Sequence, residues 1–205
     1  MTRMPPQQVV LASSSAGKLE EFRSLLADAG FDVLPQADFD VTDVEETGLT
    51  FVENAILKAR NACRKSGLPA IADDSGLEVE ALMDKPGIYS SRFAGVEGEE
   101  RDSANNQKLI NSLHGLARDE RTARFQCVLV YMRHAEDPTP IICQGTWEGL
   151  ILHQSSGDGG FGYDPLFYVP EHDCSAAELS KADKNAISHR GQAMRQLLQQ
   201  LTAQA

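Results

Sequence analysis

Long apolar runs are missing from this 205-residue sequence, so nothing in it approaches a transmembrane helix. The opening stretch MTRMPPQQVVLAS has too short an apolar core for a secretory signal. Cysteine is scarce. Cys63, Cys127, Cys143 and Cys174 lie far apart with no C-x-x-C pair. That spacing excludes a zinc ribbon and a disulfide framework, and leads us to expect a reduced, cytoplasmic protein. Basic charge is also short: 19 Lys and Arg stand against 30 Asp and Glu, a net charge of −11. Such an acidic chain is not expected to bind nucleic acid or an anionic membrane, and an anionic substrate would need a local basic pocket or a cation. Internal repeats and low-complexity segments are absent too.

What remains is the composition of a globular chain, 41% hydrophobic and 24% charged, long enough for one sizeable core. One domain is the default and two small lobes are compatible with the length. The sequence centres on Ile71–Val79, IADDSGLEV. An apolar entry leads to Asp73 and Asp74, and Ser75-Gly76 reads as a turn before Leu77 and Val79 resume the apolar alternation. Two neighbouring carboxylates at a buried strand mouth do nothing for folding, since they lose hydration and repel. Two readings stand: a solvated turn, or an oxygen-only nest for a hard cation and its phosphate cargo.

Upstream, the strand VVLA runs into Ser13-Ser14-Ser15-Ala16-Gly17-Lys18, with a helix expected from about Lys18 to Ala29. Hydroxyls and a Gly-Lys at a helix start suit a phosphate cradle, but the Walker A spacing is absent and helix capping is the plainer reading. A second strand, Phe31–Leu34, and an acidic connection lead to EETGLTFVENAILKAR. Here Thr50 and Glu53 form a capping box, so a helix is expected from Phe51 to about Ser66. Ala55, Ala59 and Ala62 make its close-packing stripe. Asn54 and Lys58 share a face that solvation alone would explain. Glu46 lies outside the capping box and its role is open.

Downstream, Asp102–Leu116 reads as a helix, Arg124–Arg133 as a central strand and Ile141–Leu152 as its antiparallel partner. SSGDGGFGYDP, residues 155–165, is a glycine-rich loop whose aromatics must pack on the core or on a planar ligand. Ser175 to Glu178 has the spacing of a capping box opening a short helix. Lys184, Ser188, His189 and Arg190 stand just before a last amphipathic helix, where their charge opposes its dipole unless an anion or acceptor is held there.

Five blocks in this order, ETGLTFVENAILKAR, ADDSGLEV, PGIYSSRFAG, GGFGYDPLF and AISHRGQA, closely resemble the inosine/xanthosine triphosphate pyrophosphatases, the Ham1-like enzymes. The resemblance runs from about Val9 to Leu201. It implies an elongated two-lobed α/β fold with a long mixed sheet flanked by helices and an active-site cleft between the lobes. The whole chain, 1–205, would be one such domain. It also implies magnesium-dependent hydrolysis of ITP, dITP or XTP to the monophosphate and pyrophosphate, and a homodimer. By position in these motifs Asp74 matches the general base. Glu46 and Asp74 match the magnesium ligands, with Asp73 in support. Ser13, Ser14, Ser15, Ala16, Gly17, Lys18, Asn54, Lys58 and Ser75 match groups around the phosphates. Phe161, Gly162, Tyr163, Asp164, Lys184, His189 and Arg190 match the nucleobase site. One departure is Ser15, where the family's first loop carries asparagine. The LASSS run is also similar to the Maf-like nucleotide pyrophosphatases, which share the fold and would differ in base preference. A non-catalytic nucleotide sensor is the alternative from another class, although it would be expected to lose the acidic residues present here.

Overall fold

The computed structural model describes residues 7–203. The reading of the N-terminus as free of a secretory signal rests largely on residues 1–6, which lie outside them. Eight strands form one mixed sheet in the order β2-β1-β3-β5-β6-β7-β8, with β4 paired to β3. The strands are β1 (Gln7–Leu11), β2 (Phe31–Pro35), β3 (Ala70–Val79), β4 (Lys85–Pro86), β5 (Thr122–Met132), β6 (Ile141–Ile151), β7 (Phe167–Val169) and β8 (Cys174–Ser175). Helices α1 (Ala16–Leu26), α2 (Phe51–Ser66), α3 (Arg101–Ser112), α4 (Lys181–Ile187) and α5 (His189–Ala203) accompany them. No helix among the described residues is long and apolar enough to cross a membrane.

The chain divides into two compact units. Residues up to Asp74, with Val128–Gln144 and the end of α5 from Ala193, make the first. Here β1 pairs in parallel with both β2 and β3. Successive residues of a strand face opposite sides, so Ala70, Ala72 and Asp74 share one face of β3 while Ile71 and Asp73 share the other. Helix α2 packs on the first of these. Its buried Ala55, Ala59, Ala62 and Cys63 meet Val10, Ala12, Ala70 and Ala72 of β1 and β3, with Val128, Val130 and Met132 of β5. Small side chains on both partners bring the helix backbone close to the sheet. The helix is well terminated: Thr50 accepts from the Glu53 N–H, and Gly67 closes it with φ 71°.

The second unit comprises Ser75–Cys127 and Gly145–Gln192. Its core gathers Leu77 and Val79 of β3, Leu109 and Leu113 at the end of α3, and a group of aromatics. Phe125, Trp147 and Phe167 lie with ring centroids 4.5–6.2 Å apart. Arg121 is fully buried beside them and gave no signal in the sequence. Its guanidinium donates to the carbonyls of Ile151, Leu113 and Leu152 at 2.7, 2.9 and 2.8 Å, tying the end of α3 to the end of β6.

Several expectations shift. Ser75-Gly76 does not turn the chain, because both lie inside the ten-residue β3. Sheet neighbours continue the ladder on this strand, and Leu77 and Val79 bury themselves fully, which outweighs the turn preference of Ser-Gly. Helix α1 starts earlier than expected, with Ser15 as its cap, and ends at Leu26 in a short 3-10 turn. Ser175–Glu178 opens no helix. The Glu178 carboxylate does accept from the Ser175 N–H at 2.7 Å, but the residues form a turn after β8. The helix that follows starts from Ser180. Lys184 therefore belongs to α4 rather than to the entry of the last helix, which His189 and Arg190 open. The expected bounds and Thr50 cap of α2 are found, and of the loop aromatics Tyr163 packs in the core while Phe161 stays exposed.

Replacing Arg121 by Met removes the guanidinium donors from three carbonyls, of which that of Leu113 keeps the Leu116 N–H. The variant is expected to lose about 2–4 kcal/mol in urea unfolding, since each stranded polar group costs ~1–3 kcal/mol and relaxation recovers part. A loss under about 0.5 kcal/mol would show that these carbonyls find water or other donors.

Candidate active site

In the first unit the two carboxylates of β3 are each met by a lysine from a different helix. Asp73 receives Lys18 Nζ of α1 at 3.0 and 2.8 Å from its two oxygens. Asp74 Oδ1 receives Lys58 Nζ of α2 at 2.8 Å. The pleat sends the neighbouring side chains to opposite faces, so each meets its own cation. Lys58 also donates to Glu46 Oε1 at 3.0 Å, which answers the open role of Glu46. Asp73 and Asp74 are almost wholly buried, with relative exposures of 1% and 8%.

This crowding sets the protonation energetics. Burial pushes the Asp74 carboxyl above the ordinary aspartate value, against the pull of Lys58, and the charges of Glu46 and Asp73 add to the rise. Burial opposes the Lys58 charge as well, but Asp74, Asp73 and Glu46 together hold its ammonium above the usual lysine range. Asp74 Oδ2 is buried and has no hydrogen-bond partner. An orphaned anionic oxygen in a dry, oxygen-rich setting suits a hard divalent cation, and Glu46 offers a second carboxylate beside the same lysine. Among the described residues no three His, Cys, Asp or Glu side chains are grouped to hold a metal by themselves. Any cation here would thus complete its shell with water or with oxygens of a ligand.

Asn54 is fully buried in the first turn of α2, not on a solvated face. Its Oδ1 accepts from the Gly48 N–H at 2.8 Å, and its Nδ2 is a buried donor with no partner. Gly48 has to be glycine. A Cβ there would lie 2.6 Å from Glu53 Cβ and 2.7 Å from Asn54 Oδ1. The capping carboxylate of Glu53 takes the Thr50 hydroxyl and the Leu49 N–H, which hold it below the ordinary glutamate range. At the start of α1, Ser13 Oγ accepts from the Ser15 N–H and Ser15 Oγ from the Lys18 N–H. Ser14 and Gly17 are exposed and Ala16 begins the helix. The serines therefore cap α1, as the plainer reading held.

The second unit assembles the other predicted residues. Asp164 is buried, and its Oδ2 accepts from the Phe161 N–H at 2.7 Å and from Lys184 Nζ of α4. The Phe161 ring is 58% exposed, with Lys184 Nζ 5.1 Å and Arg190 Cζ 5.7 Å from its centroid. Arg190 is 4% exposed and donates to Ser75 Oγ at 3.3 Å. An exposed aromatic side chain with two cations over its ring sets apolar surface beside N–H donors, as a planar, acceptor-bearing ligand requires. Tyr163 and His189 lie in the core of this unit. Tyr163 is in the core with its hydroxyl on the Ser90 carbonyl at 2.8 Å, and the His189 ring stacks on Phe125 at 4.7 Å. Gly162 is held on both of its peptide groups by α3: its N–H by Asp102 and its carbonyl by Asn106, each at 2.9 Å. Neither residue stood out in the sequence, where both read as ordinary polar positions of a surface helix.

The first unit of this α/β protein thus presents carboxylates poised by lysines, and the second an exposed aromatic beside basic side chains. Residues 9–200 match the model of the Ham1 family, and the chain belongs to that family. It is 58% identical to a dITP/XTP pyrophosphatase of Pectobacterium atrosepticum over 95% of this chain and 98% of that one. It is 55% identical to a dITP/XTP pyrophosphatase of Vibrio parahaemolyticus over 97% and 98%. Among solved structures, a Ham1 protein from Coxiella burnetii superposes with a TM-score of 0.90 at 50% identity, covering 96% of this chain and 99% of that one.

Substituting Asp74 by Asn tests the strain in the carboxylate cluster. A carboxyl whose folded-state pKa lies above its unfolded value contributes its full stability below the unfolded value and loses it as pH rises through the folded one. Asp74→Asn is therefore expected to melt at or above the wild-type temperature at about pH 7, with the gap narrowing towards about pH 4, where an ordinary aspartate begins to protonate. A variant melting well below wild type at neutral pH would mean that the Lys58 pairing outweighs the burial.

Proposed function

We propose that the chain hydrolyses non-canonical purine nucleoside triphosphates, ITP, dITP and XTP, to the monophosphate and pyrophosphate, clearing them from the nucleotide pool. The observation that carries this reading is the convergence of Glu46 and Asp74 on Lys58, with Asp74 Oδ2 left over. Full-length relatives bearing the name dITP/XTP pyrophosphatase support it. The whole chain would act as a single pyrophosphatase domain of two lobes.

In this reading Asp74 is the general base. It takes the proton of a water whose oxygen attacks the α-phosphorus. The α–β bridging P–O bond breaks and pyrophosphate leaves with the electron pair. Lys18, Lys58 and the spare donor of Asn54 meet the charge of the triphosphate, assisted by the α1 entry from Ser13 to Gly17 and by Ser75. Lysines already matched to carboxylates let the polyanion enter without burying unpaired cations in its absence. Glu46 and Asp74 would hold magnesium, with Asp73 in support. When bound, the ion neutralises phosphate oxygens and the developing charge on the leaving group. The proposal extends to a homodimer in the cytoplasm, a compartment suited to four free thiols.

The base would lie on Phe161, flanked by Gly162 to Asp164. Lys184 and Arg190 carry donors only, and His189 can donate from a ring nitrogen, so a 6-keto oxygen gives them an acceptor. Adenine would set its 6-amino group against them, a mismatch of about 1–3 kcal/mol for each unpaired group. Guanine shares the 6-keto oxygen, so its rejection falls to the 2-position and the backbone of the 159–164 loop.

Three outcomes test the proposal. With ITP and magnesium, the first products should be IMP and pyrophosphate; IDP with orthophosphate would overturn the bond assignment. Asp74→Asn should lower turnover by about a hundredfold or more, the usual contribution of a positioned base, with far less effect on nucleotide binding. Near-wild-type turnover would assign the base elsewhere. For the platform, Arg190→Ala should bring ITP turnover towards that of ATP. An unchanged ITP-to-ATP ratio would remove Arg190 from base recognition.

A further inference from the structure

We propose that Asp102 and Asn106 of α3 are positioning residues for base recognition, acting through Gly162. The inference rests on the base reading above and adds residues to it that the family motifs do not mark. Residues 155–165 include Gly157, Gly160 and Gly162 at positive φ of 79°, 73° and 60°. A segment so rich in glycine loses much conformational freedom when ordered, so something must hold it. Close packing on Ala177 and Glu178 confines Gly157 and Gly159, but a cavity of about 380 Å3 lies against the loop, bounded by Asp102, Asn106, Phe161 and Gly162 among others. Hydrogen bonds must do the rest. Asp102 and Asn106 are four residues apart and so share one face of α3. They take both peptide groups of Gly162, Asp102 Oδ2 accepting its N–H and Asn106 Nδ2 donating to its carbonyl, each at 2.9 Å. On the other side of the same short stretch, Asp164 Oδ2 holds the Phe161 N–H and Lys184 together. Phe161 is thereby fixed between two anchors, the α3 pair on Gly162 and Asp164, itself paired with Lys184 of α4, on its own N–H. Without the α3 anchor, Gly162 can rotate and the exposed ring loses its place under Lys184 and Arg190.

The chemistry of phosphate cleavage uses none of these residues, so the clamp should show in binding of the base and not in turnover at saturation. In Asp102→Ala we expect KM for ITP to rise by roughly tenfold with kcat within about twofold, the scale of one charge-assisted hydrogen bond lost from the site. Asp102→Asn keeps an acceptor oxygen in place and should recover KM to within about threefold of wild type. Independently of any nucleotide, the Gly162 amide in Asp102→Ala should exchange its hydrogen at least about tenfold faster by NMR, and in Asp102→Asn much less so. Unchanged exchange, unchanged KM, a fall in kcat as large as the rise in KM, or failure of Asn to rescue would each overturn the inference. Wild-type protein that left ITP intact would instead sink the base reading itself, and this inference with it.

Discussion

The structure turns on one constraint: Asp73 and Asp74 are adjacent, buried and charged in the middle of a sheet strand. A strand can carry this pair only because its pleat sends the two side chains to opposite faces and a lysine waits on each. Lys18 comes from α1 and Lys58 from α2, so these two helices of the first unit are tied electrostatically to this pair of residues. The βαβ winding makes that arrangement available. The chain passes from β1 to β2 through α1 and returns to β3 through α2. Moving to opposite sides of β1 with the same crossover hand places the helices on opposite faces. The fold thus delivers two cations to two neighbouring carboxylates from two directions, and each can respond separately to a bound anion.

Balance at this cluster is incomplete, and that is where its chemistry lies. Lys58 serves both Asp74 and Glu46, leaving Asp74 Oδ2 buried without a partner and the carboxyl pushed upward by burial. A group held this way is a better proton acceptor than a surface aspartate and a ready ligand for a hard cation. Asn54 repeats the pattern in neutral form, with one end fixed on Gly48 and the other spent on nothing in the protein. The second unit follows the same logic with different atoms. Asp164 fixes Phe161 and Lys184, while the Phe161 side chain stays largely exposed.

Much of this was legible in the sequence where signals are local. The α2 cap at Thr50, the alanine stripe of that helix and the apolar stripes of α1 and α5 depend on near neighbours, and periodicity reports them. The acidic pair was recognisable as costly, but its reading as a turn failed. Ser-Gly favours turns locally, whereas the ladder that keeps β3 extended comes from strands far away in the chain. The same limit hid Asp102 and Asn106, which look like solvated helix positions until Gly162 is brought to them across 60 and 56 residues. Arg121 was invisible for a related reason, because its partners are carbonyls, and every residue has one. Ser175–Glu178 shows the converse. Half of a capping box formed there without a helix, since such a bond needs only a turn.

The central claim is that water attacks the α-phosphorus. Hydrolysis of ITP in water enriched in oxygen-18, followed by mass spectrometry of both products after a single turnover, tests it most directly. The account predicts one heavy oxygen in the monophosphate and none in pyrophosphate. Label in pyrophosphate would place the attack at the β-phosphorus and contradict it.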